Sequence, residues 1–256
     1  MSQLQNQARP VPETAVPARV RSFRHRYRQR HIGRFYSGWL HLAFTVTASL
    51  AVCILCLLQL QDPAWYVWLA VPLTFVYINL MEYWGHRGPM HHPPRGWRRR
   101  LLSGVYRRHT LRHHRFFHAD AMAFDGSHDF HAVLFPPVLV VFFLLVTVVP
   151  SGALVAWLCG PNVGWLYAAT VFAYFLNYEL LHFAYHTRAD AFVGSLPGMA
   201  RLRRLHTSHH DPRLMGRYNF NITYPIGDWL FGTLYRDEVA GDRDRSGRSL
   251  PEAPAG

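Results

Sequence analysis

Long apolar blocks separated by short polar breaks dominate the hydropathy pattern of this chain. Asp62 is the only charged residue between positions 41 and 82, and there is none between positions 132 and 178. A helix of about 20 apolar residues is long enough to cross the hydrocarbon core of a bilayer. The pattern therefore predicts four membrane-spanning helices, at about residues 39–60, 64–84, 132–149 and 163–185.

Turn-forming residues divide these blocks into two pairs. Gln61-Asp62-Pro63 separates the first two blocks, Pro150-Ser151-Gly152 ends the third, and Gly160-Pro161-Asn162 precedes the fourth. Residues 153–159 are apolar but too short to span, and we interpret them as an interfacial or re-entrant piece. The expected fold is thus an all-α integral membrane protein with four transmembrane helices in two hairpins.

Basic residues flank the apolar blocks. The net charge of +12 includes 27 basic residues, all of them arginine. They concentrate in the N-terminal arm, between residues 87 and 115, and near the C-terminus, while both hairpin tips are nearly uncharged. By the positive-inside rule, both termini and the central loop should be cytoplasmic. We interpret the arginine-only usage as codon bias of a GC-rich genome, and expect a bacterial inner membrane and no nucleic-acid partner.

Composition also sets the expected domain limits. Residues 1–34 are predicted to be a disordered basic arm, residues 35–237 one membrane domain, and residues 238–256 a disordered tail. The first 18 residues lack the apolar core of a signal peptide.

Seventeen histidines carry the candidate chemistry, and most recur at close spacing. Neutral imidazole is the commonest transition-metal ligand, and helical spacings of three and four place rings on one face. The predicted topology gathers four clusters on the cytoplasmic side, in a helical cap. They supply too many ligands for one ion, so we predict a site for two metal ions. The candidate ligands are His86, His91, His109, His113, His114, His182, His186, His206, His209 and His210.

Two carboxylates lie close to these clusters. Glu82 precedes His86 by four residues, and Glu179 precedes His182 by three. A ligating ring needs a hydrogen bond to its second nitrogen, and we expect these carboxylates to accept such bonds. Snorkelling to the interface, or an ion pair with arginine, is the alternative.

Four further histidines remain open as ligands or loop residues. His92 adjoins a candidate ligand, whereas His118, His128 and His131 lie in a segment with three aspartates, where a loop position is the simpler interpretation.

These motifs resemble those of the fatty acid hydroxylase and sterol desaturase superfamily of membrane di-iron oxygenases. The resemblance covers about residues 75–235 and is carried by His86-Arg87-x3-His91-His92, His109-x3-His113-His114, His182-x3-His186, His206-x2-His209-His210 and the segment Asp228-Trp229-Leu230-Phe231-Gly232-Thr233. It implies a four-helix membrane core under a cytoplasmic cap in which histidines hold two irons, and an external electron donor. We assign Asp228, in the closing segment, a supporting role like that of Glu82.

The expected function is an O₂-dependent oxidoreductase that hydroxylates or desaturates a lipid. Electrons should come from a separate ferredoxin or cytochrome with its reductase, because the chain lacks a His-Pro-Gly-Gly haem motif. Zinc could replace iron in isolated protein. The alternative is a membrane metal-binding or transport protein, although transporters carry their ligands near the bilayer midplane. The substrate stays open among headgroups, acyl chains, sterol-like rings and carotenoids.

Overall fold

The computed structural model describes residues 16–188 and 191–235, and this part of the chain is almost entirely helical. Its single β-bridge joins His118 and Ala121. The all-α expectation is therefore confirmed for the described residues. The predicted disordered tail, 238–256, lies outside them, as do residues 1–15 of the predicted arm.

The N-terminal arm is not disordered over its whole length. Residues Ala18–His31 form helix α1, whose Val20, Arg24 and Tyr27 are buried. The expectation failed because α1 has few apolar residues, and its burial depends on arginine hydrogen bonds and aromatic packing that composition does not show. Tyr27 packs edge-on against Phe116, with ring centroids 5.2 Å apart.

The first apolar pair forms a helical hairpin. Helix α2, Gly38–Leu57, begins after Ser37, whose side chain accepts a hydrogen bond from the Leu40 N–H. A 3₁₀ segment, Trp65–Leu69, leads into helix α3, Ala70–Gly85.

The second apolar pair is longer than the sequence suggests. Helix α7, Pro137–Phe143, continues through a π-turn at Leu144–Val148 into helix α8, Val149–Cys159. The helix thus passes Pro150, which the sequence pattern predicts as its end. Pro150 lacks an N–H and crowds the preceding turn, and the wider π-turn before it accommodates both effects.

Helix α9, Pro161–Tyr185, returns directly from Gly160, whose φ of +97° suits glycine. It packs closely on α8, as the lack of space at Gly164 shows. A Cβ added there would lie only 2.5 Å from the Ala156 Cβ. The tips of both hairpins also meet. Asn162 accepts a hydrogen bond from the Gln61 N–H (3.0 Å) and donates one to the Gln61 carbonyl (2.7 Å).

Shorter helices cover the opposite end of the two hairpins. They are α4 (Arg98–Arg108), α5 (His114–Phe116), α6 (Phe130–Val133), α10 (Met199–His209) and α11 (Ile226–Leu230), with π-turns at His86–Met90 and His109–His113 and 3₁₀ turns at Ser127–Asp129 and Phe192–Ser195.

Two described helical stretches are long and apolar enough to cross a membrane, Gly38–Leu57 and Ser127–Cys159. Large apolar side chains on them face outward; Leu55 is 60% exposed and Leu145 is also 60% exposed. An outward-facing apolar surface of this kind is what a lipid environment requires.

Candidate dimetal centre

The structure brings all ten predicted histidines together at the capped end, in two groups of five. Within each group the ring nitrogens lie within 4.8 Å of one another, and every member is buried. Cluster 1 comprises His86, His91, His109, His114 and His209. Cluster 2 comprises His113, His182, His186, His206 and His210.

Two π-turns decide which histidines share a cluster. Helical spacing pairs His109 with His113, but the structure places His109 with His114 in cluster 1 and His113 in cluster 2. The π-turn at His109–His113 widens the helix so that residue i+5 lies over residue i. The π-turn at His86–Met90 aligns His86 with His91 in the same way.

Regular helices supply the remaining members. His182 and His186 extend from the end of α9, and His206 and His210 are one α-helical turn apart at the end of α10. His209, on another face of α10, points to cluster 1. Helix α10 therefore contributes to both clusters.

In both clusters the Nε2 atoms converge. In cluster 1, His86 Nε2 lies 2.7 Å from His109 Nε2, and His209 Nε2 lies 2.9 Å from His91 Nε2. In cluster 2 the closest Nε2 pairs, such as His182–His113, are 3.1 Å apart. A metal ion about 2.1 Å from each of two perpendicular imidazole ligands holds their nitrogens about 3 Å apart.

The two clusters touch. The rings of His114 in cluster 1 and His210 in cluster 2 stack with centroids 4.2 Å apart. Two ions held by these clusters would be close neighbours, as the sequence predicted.

Backbone carbonyls fix the orientation of five rings through Nδ1. The acceptor is Phe220 for His86, Tyr218 for His209, Ala132 for His113, Met122 for His186 and Phe117 for His210. The buried Nδ1 atoms of His91, His114, His182 and His206 have no hydrogen-bond partner among the described residues. The carbonyl-held rings are therefore the anchors of each cluster.

This pattern fits metal ions on chemical grounds. A neutral ring that donates from Nδ1 has a bare lone pair on Nε2. Cluster 2 contains three such rings and cluster 1 contains two, all aiming their lone pairs into one small space. A cation between the rings of a cluster would bind these lone pairs and remove their mutual repulsion. The donor set, imidazole nitrogen throughout, suits iron or zinc.

Burial keeps these rings neutral. It lowers the pKa of His113 to about 3 and that of His209 to about 4, in each case because the charged form loses its hydration. A neutral imidazole is the form that binds metal.

The three predicted supporting carboxylates contact backbone instead of histidine rings. Glu82 accepts hydrogen bonds from the Ile222 and Thr223 N–H groups, and Glu179 from the Phe135 N–H at 2.9 Å. The expected direct carboxylate–histidine bonds are absent among the described residues, because backbone N–H and hydroxyl groups take the oxygens of Glu82 and Asp228 and one oxygen of Glu179.

Asp228 shows how a carboxylate supports a ring indirectly. It accepts hydrogen bonds from the Phe220 N–H (2.9 Å) and the Asn221 N–H (2.7 Å), next to the Phe220 carbonyl that holds His86. Thr233 donates to the same carboxylate (2.7 Å). Asp228 therefore fixes the segment that orients cluster 1, a role that spacing in the sequence could not reveal.

The four open histidines lie outside both clusters. His92 and His128 are exposed. His118 contacts Asp120 (3.2 Å), and His131 contacts the Tyr27 hydroxyl through Nδ1 (2.9 Å).

The model of the fatty acid hydroxylase family matches residues 71–233. This range is more than half of the chain and includes all ten clustered histidines. The chain belongs to the fatty acid hydroxylase family. No curated protein and no solved structure matches it. As a family member it is a membrane-associated oxidoreductase of the oxygenase type with a histidine-rich metal site.

A cavity of about 480 Å³ leads to cluster 1. Its wall is almost wholly apolar and aromatic, and includes His86, Met81, Leu139, Phe142 and Phe175. Phe142 is 56% exposed, so the cavity reaches the outer apolar surface between the hairpins. Sequence reasoning missed it, because it forms only where α3, α7 and α9 meet.

Proposed function

We propose that this protein is a four-span, di-iron, O₂-dependent oxygenase that hydroxylates or desaturates the hydrocarbon part of a membrane lipid. The observation that carries the proposal is the pair of adjoining five-histidine clusters, each with bare lone pairs directed inward. Two ferrous ions there would supply electrons to dioxygen. This chemistry would provide an oxidant able to remove hydrogen from an unactivated C–H bond. All ten histidines, and no carboxylate, are proposed as ligands.

The cavity supports an apolar substrate that enters from the side. It runs from exposed side chains on α7 to His86 and is bounded by Phe135, Phe143 and Tyr178. An acyl chain in this space would be shielded from water, and the C–H bond nearest cluster 1 would be the one attacked. The substrate is therefore expected to be a flexible apolar chain.

The architecture supports a four-span topology with a cytoplasmic cap. The Gln61–Asn162 hydrogen bonds place both hairpin tips at one end, while α3 and α9 carry His86 and His182 to the other. Arginine is concentrated at the histidine end. By the positive-inside rule this end faces the cytoplasm, which in a bacterium makes the protein an inner-membrane enzyme.

Electrons are proposed to come from a separate ferredoxin, or from a cytochrome with its reductase. Helix α4 supports such a partner, because Arg99, Arg100 and Arg107 are exposed on the capped end. A positive surface attracts an acidic redox protein and speeds its encounter.

The transport alternative is less well supported. The clusters lie at or beyond the ends of the apolar blocks, whereas transporters carry their ligands near the bilayer midplane.

Lipid mass spectrometry tests the proposed reaction. Cells that express the protein should contain a lipid that has gained one oxygen or lost two hydrogens, relative to cells that express His186→Ala at the same level. Identical lipid profiles, with the iron sites filled and a reductant system present, would contradict the proposed function.

A further inference from the structure

We propose that Arg24 of helix α1 is a positioning residue that orients the histidines of cluster 2, and that α1 thereby selectively stabilises one of the two metal ions. The inference rests on the dimetal site proposed above. Helix α1 lies outside residues 71–233, which match the family model, so family membership does not account for it.

Arg24 is buried to an extent unusual for arginine, with 2% exposure. Its Nε donates to the Phe116 carbonyl (2.9 Å), its Nη2 to the Ala121 carbonyl (2.6 Å) and its Nη1 to Asp125 (3.0 Å). The guanidinium also lies over the Phe116 ring, 5.0 Å from its centroid. One side chain thus connects the end of α5 with two points of the loop that follows it.

That loop holds two anchors of cluster 2. Phe117, next to Phe116, accepts the Nδ1 hydrogen bond of His210 (2.6 Å). Met122, next to Ala121, accepts that of His186 (2.9 Å). Each carbonyl bound by Arg24 is therefore adjacent in sequence to a carbonyl that orients a ring of cluster 2.

Packing transmits the same constraint. The Phe117 ring lies against the His186 ring, with centroids 4.0 Å apart, and the Phe124 N–H donates to the His186 carbonyl (3.0 Å). Arg28, one turn after Arg24, holds the end of this loop through Asp125 and through two bonds to Asp129 (2.8 and 2.7 Å).

Cluster 1 has a different support. Its anchors, His86 and His209, donate to Phe220 and Tyr218, in the segment that Asp228 fixes. No described hydrogen bond of Arg24 reaches that segment. The chain thus stabilises one cluster from its N-terminal helix and the other from its C-terminal segment, so loss of Arg24 should affect one metal ion and spare the other.

The test is an anaerobic Fe²⁺ titration of the full-length protein in detergent, with a competing chelator. The Arg24→Gln variant should bind the cluster 2 ion about tenfold more weakly, the lower limit for loss of a group that supports a metal ligand. The matched control is Arg26→Gln, an exposed arginine on the same helix, and it should behave as wild type. Arg24→Lys should fall between, because an ammonium keeps the charge but cannot reach all three acceptors.

Two double variants, each lacking one cluster, show which cluster the Arg24→Gln substitution weakens. His91→Ala with His114→Ala disables cluster 1, and His182→Ala with His206→Ala disables cluster 2. All four rings have Nδ1 atoms without a described partner, so these changes leave the anchoring bonds intact. In the first background Arg24→Gln should weaken the remaining ion about tenfold, and in the second it should change nothing.

Equal weakening in both backgrounds would show a general structural role and overturn the inference, as would unchanged affinity in both. If Arg24→Gln does not fold, by circular dichroism, the Arg24→Lys variant is measured in the same backgrounds with the same criteria. Wild-type protein that binds fewer than two ions contradicts the proposed function itself. Wild type with two ions and an Arg24→Gln variant indistinguishable from it contradicts this inference alone.

Discussion

At the residue scale, the centre is organised by hydrogen bonds between imidazole rings and main-chain carbonyls. Five carbonyl acceptors fix five rings and leave each Nε2 lone pair facing its cluster. Replacing a ligand should therefore remove a metal contact without disturbing the membrane helices, whose backbone bonds are satisfied within each helix.

Replacing His113, His186 or His209 by Ala should abolish activity and lower metal content, with the helices still inserted. The reason is that each change removes a ligand and also frees a carbonyl. Activity and bound iron of purified variants would be compared with those of His128→Ala, an exposed histidine outside both clusters. If His128→Ala proved as damaging as His186→Ala, the ligand assignment would have to be redrawn.

Replacing Asp228 by Asn should weaken the cluster 1 ion by roughly tenfold to a hundredfold. The amide keeps one acceptor oxygen, but the other position becomes a donor that opposes the Phe220 or Asn221 N–H. Iron titration in the two cluster-disabled backgrounds would show which ion is affected. An effect confined to cluster 2 would contradict this assignment.

At the scale of elements, the π-turns are what the sequence could not reveal. Apolar blocks predicted the two hairpins, and histidine spacing predicted the ten clustered residues. The spacing rules of a regular α-helix nevertheless paired His109 with His113, and proline rules ended a helix at Pro150 that continues to Cys159. The carbonyl acceptors and the Arg24 contacts depend on tertiary packing, which no local pattern records.

The close contact between α8 and α9 should be sensitive to side-chain size. A Cβ on Gly164 would meet the Ala156 Cβ at 2.5 Å and the Gly152 carbonyl oxygen at 2.9 Å. We expect Gly164→Val to destabilise the protein by about 1–3 kcal/mol through overpacking. Thermal unfolding in detergent measures this effect, with Gly104→Ala as the control, since Gly104 has open space around it. Unchanged stability of Gly164→Val would mean that the two helices are farther apart than described.

At the scale of the whole molecule, the distribution of arginines and the position of the histidine clusters favour the same orientation in the membrane. The hairpin tips are joined by hydrogen bonds at one end, and both histidine clusters lie with the arginines at the other. Cysteine labels at residues 62 and 162 should react only from outside the inner membrane, and labels at residues 99 and 213 only from inside. A label at residue 99 that reacts from outside would separate the metal site from its cytoplasmic electron donor and contradict the proposed topology.

The central claim is that one chain holds two iron ions between ten histidines. Protein purified anaerobically and reconstituted with Fe²⁺ should contain two metal ions per chain by elemental analysis. Zinc is expected in the same sites of protein purified without reconstitution, because imidazole sites generally bind it more tightly than ferrous iron. One ion or fewer per chain, after reconstitution, would contradict the account.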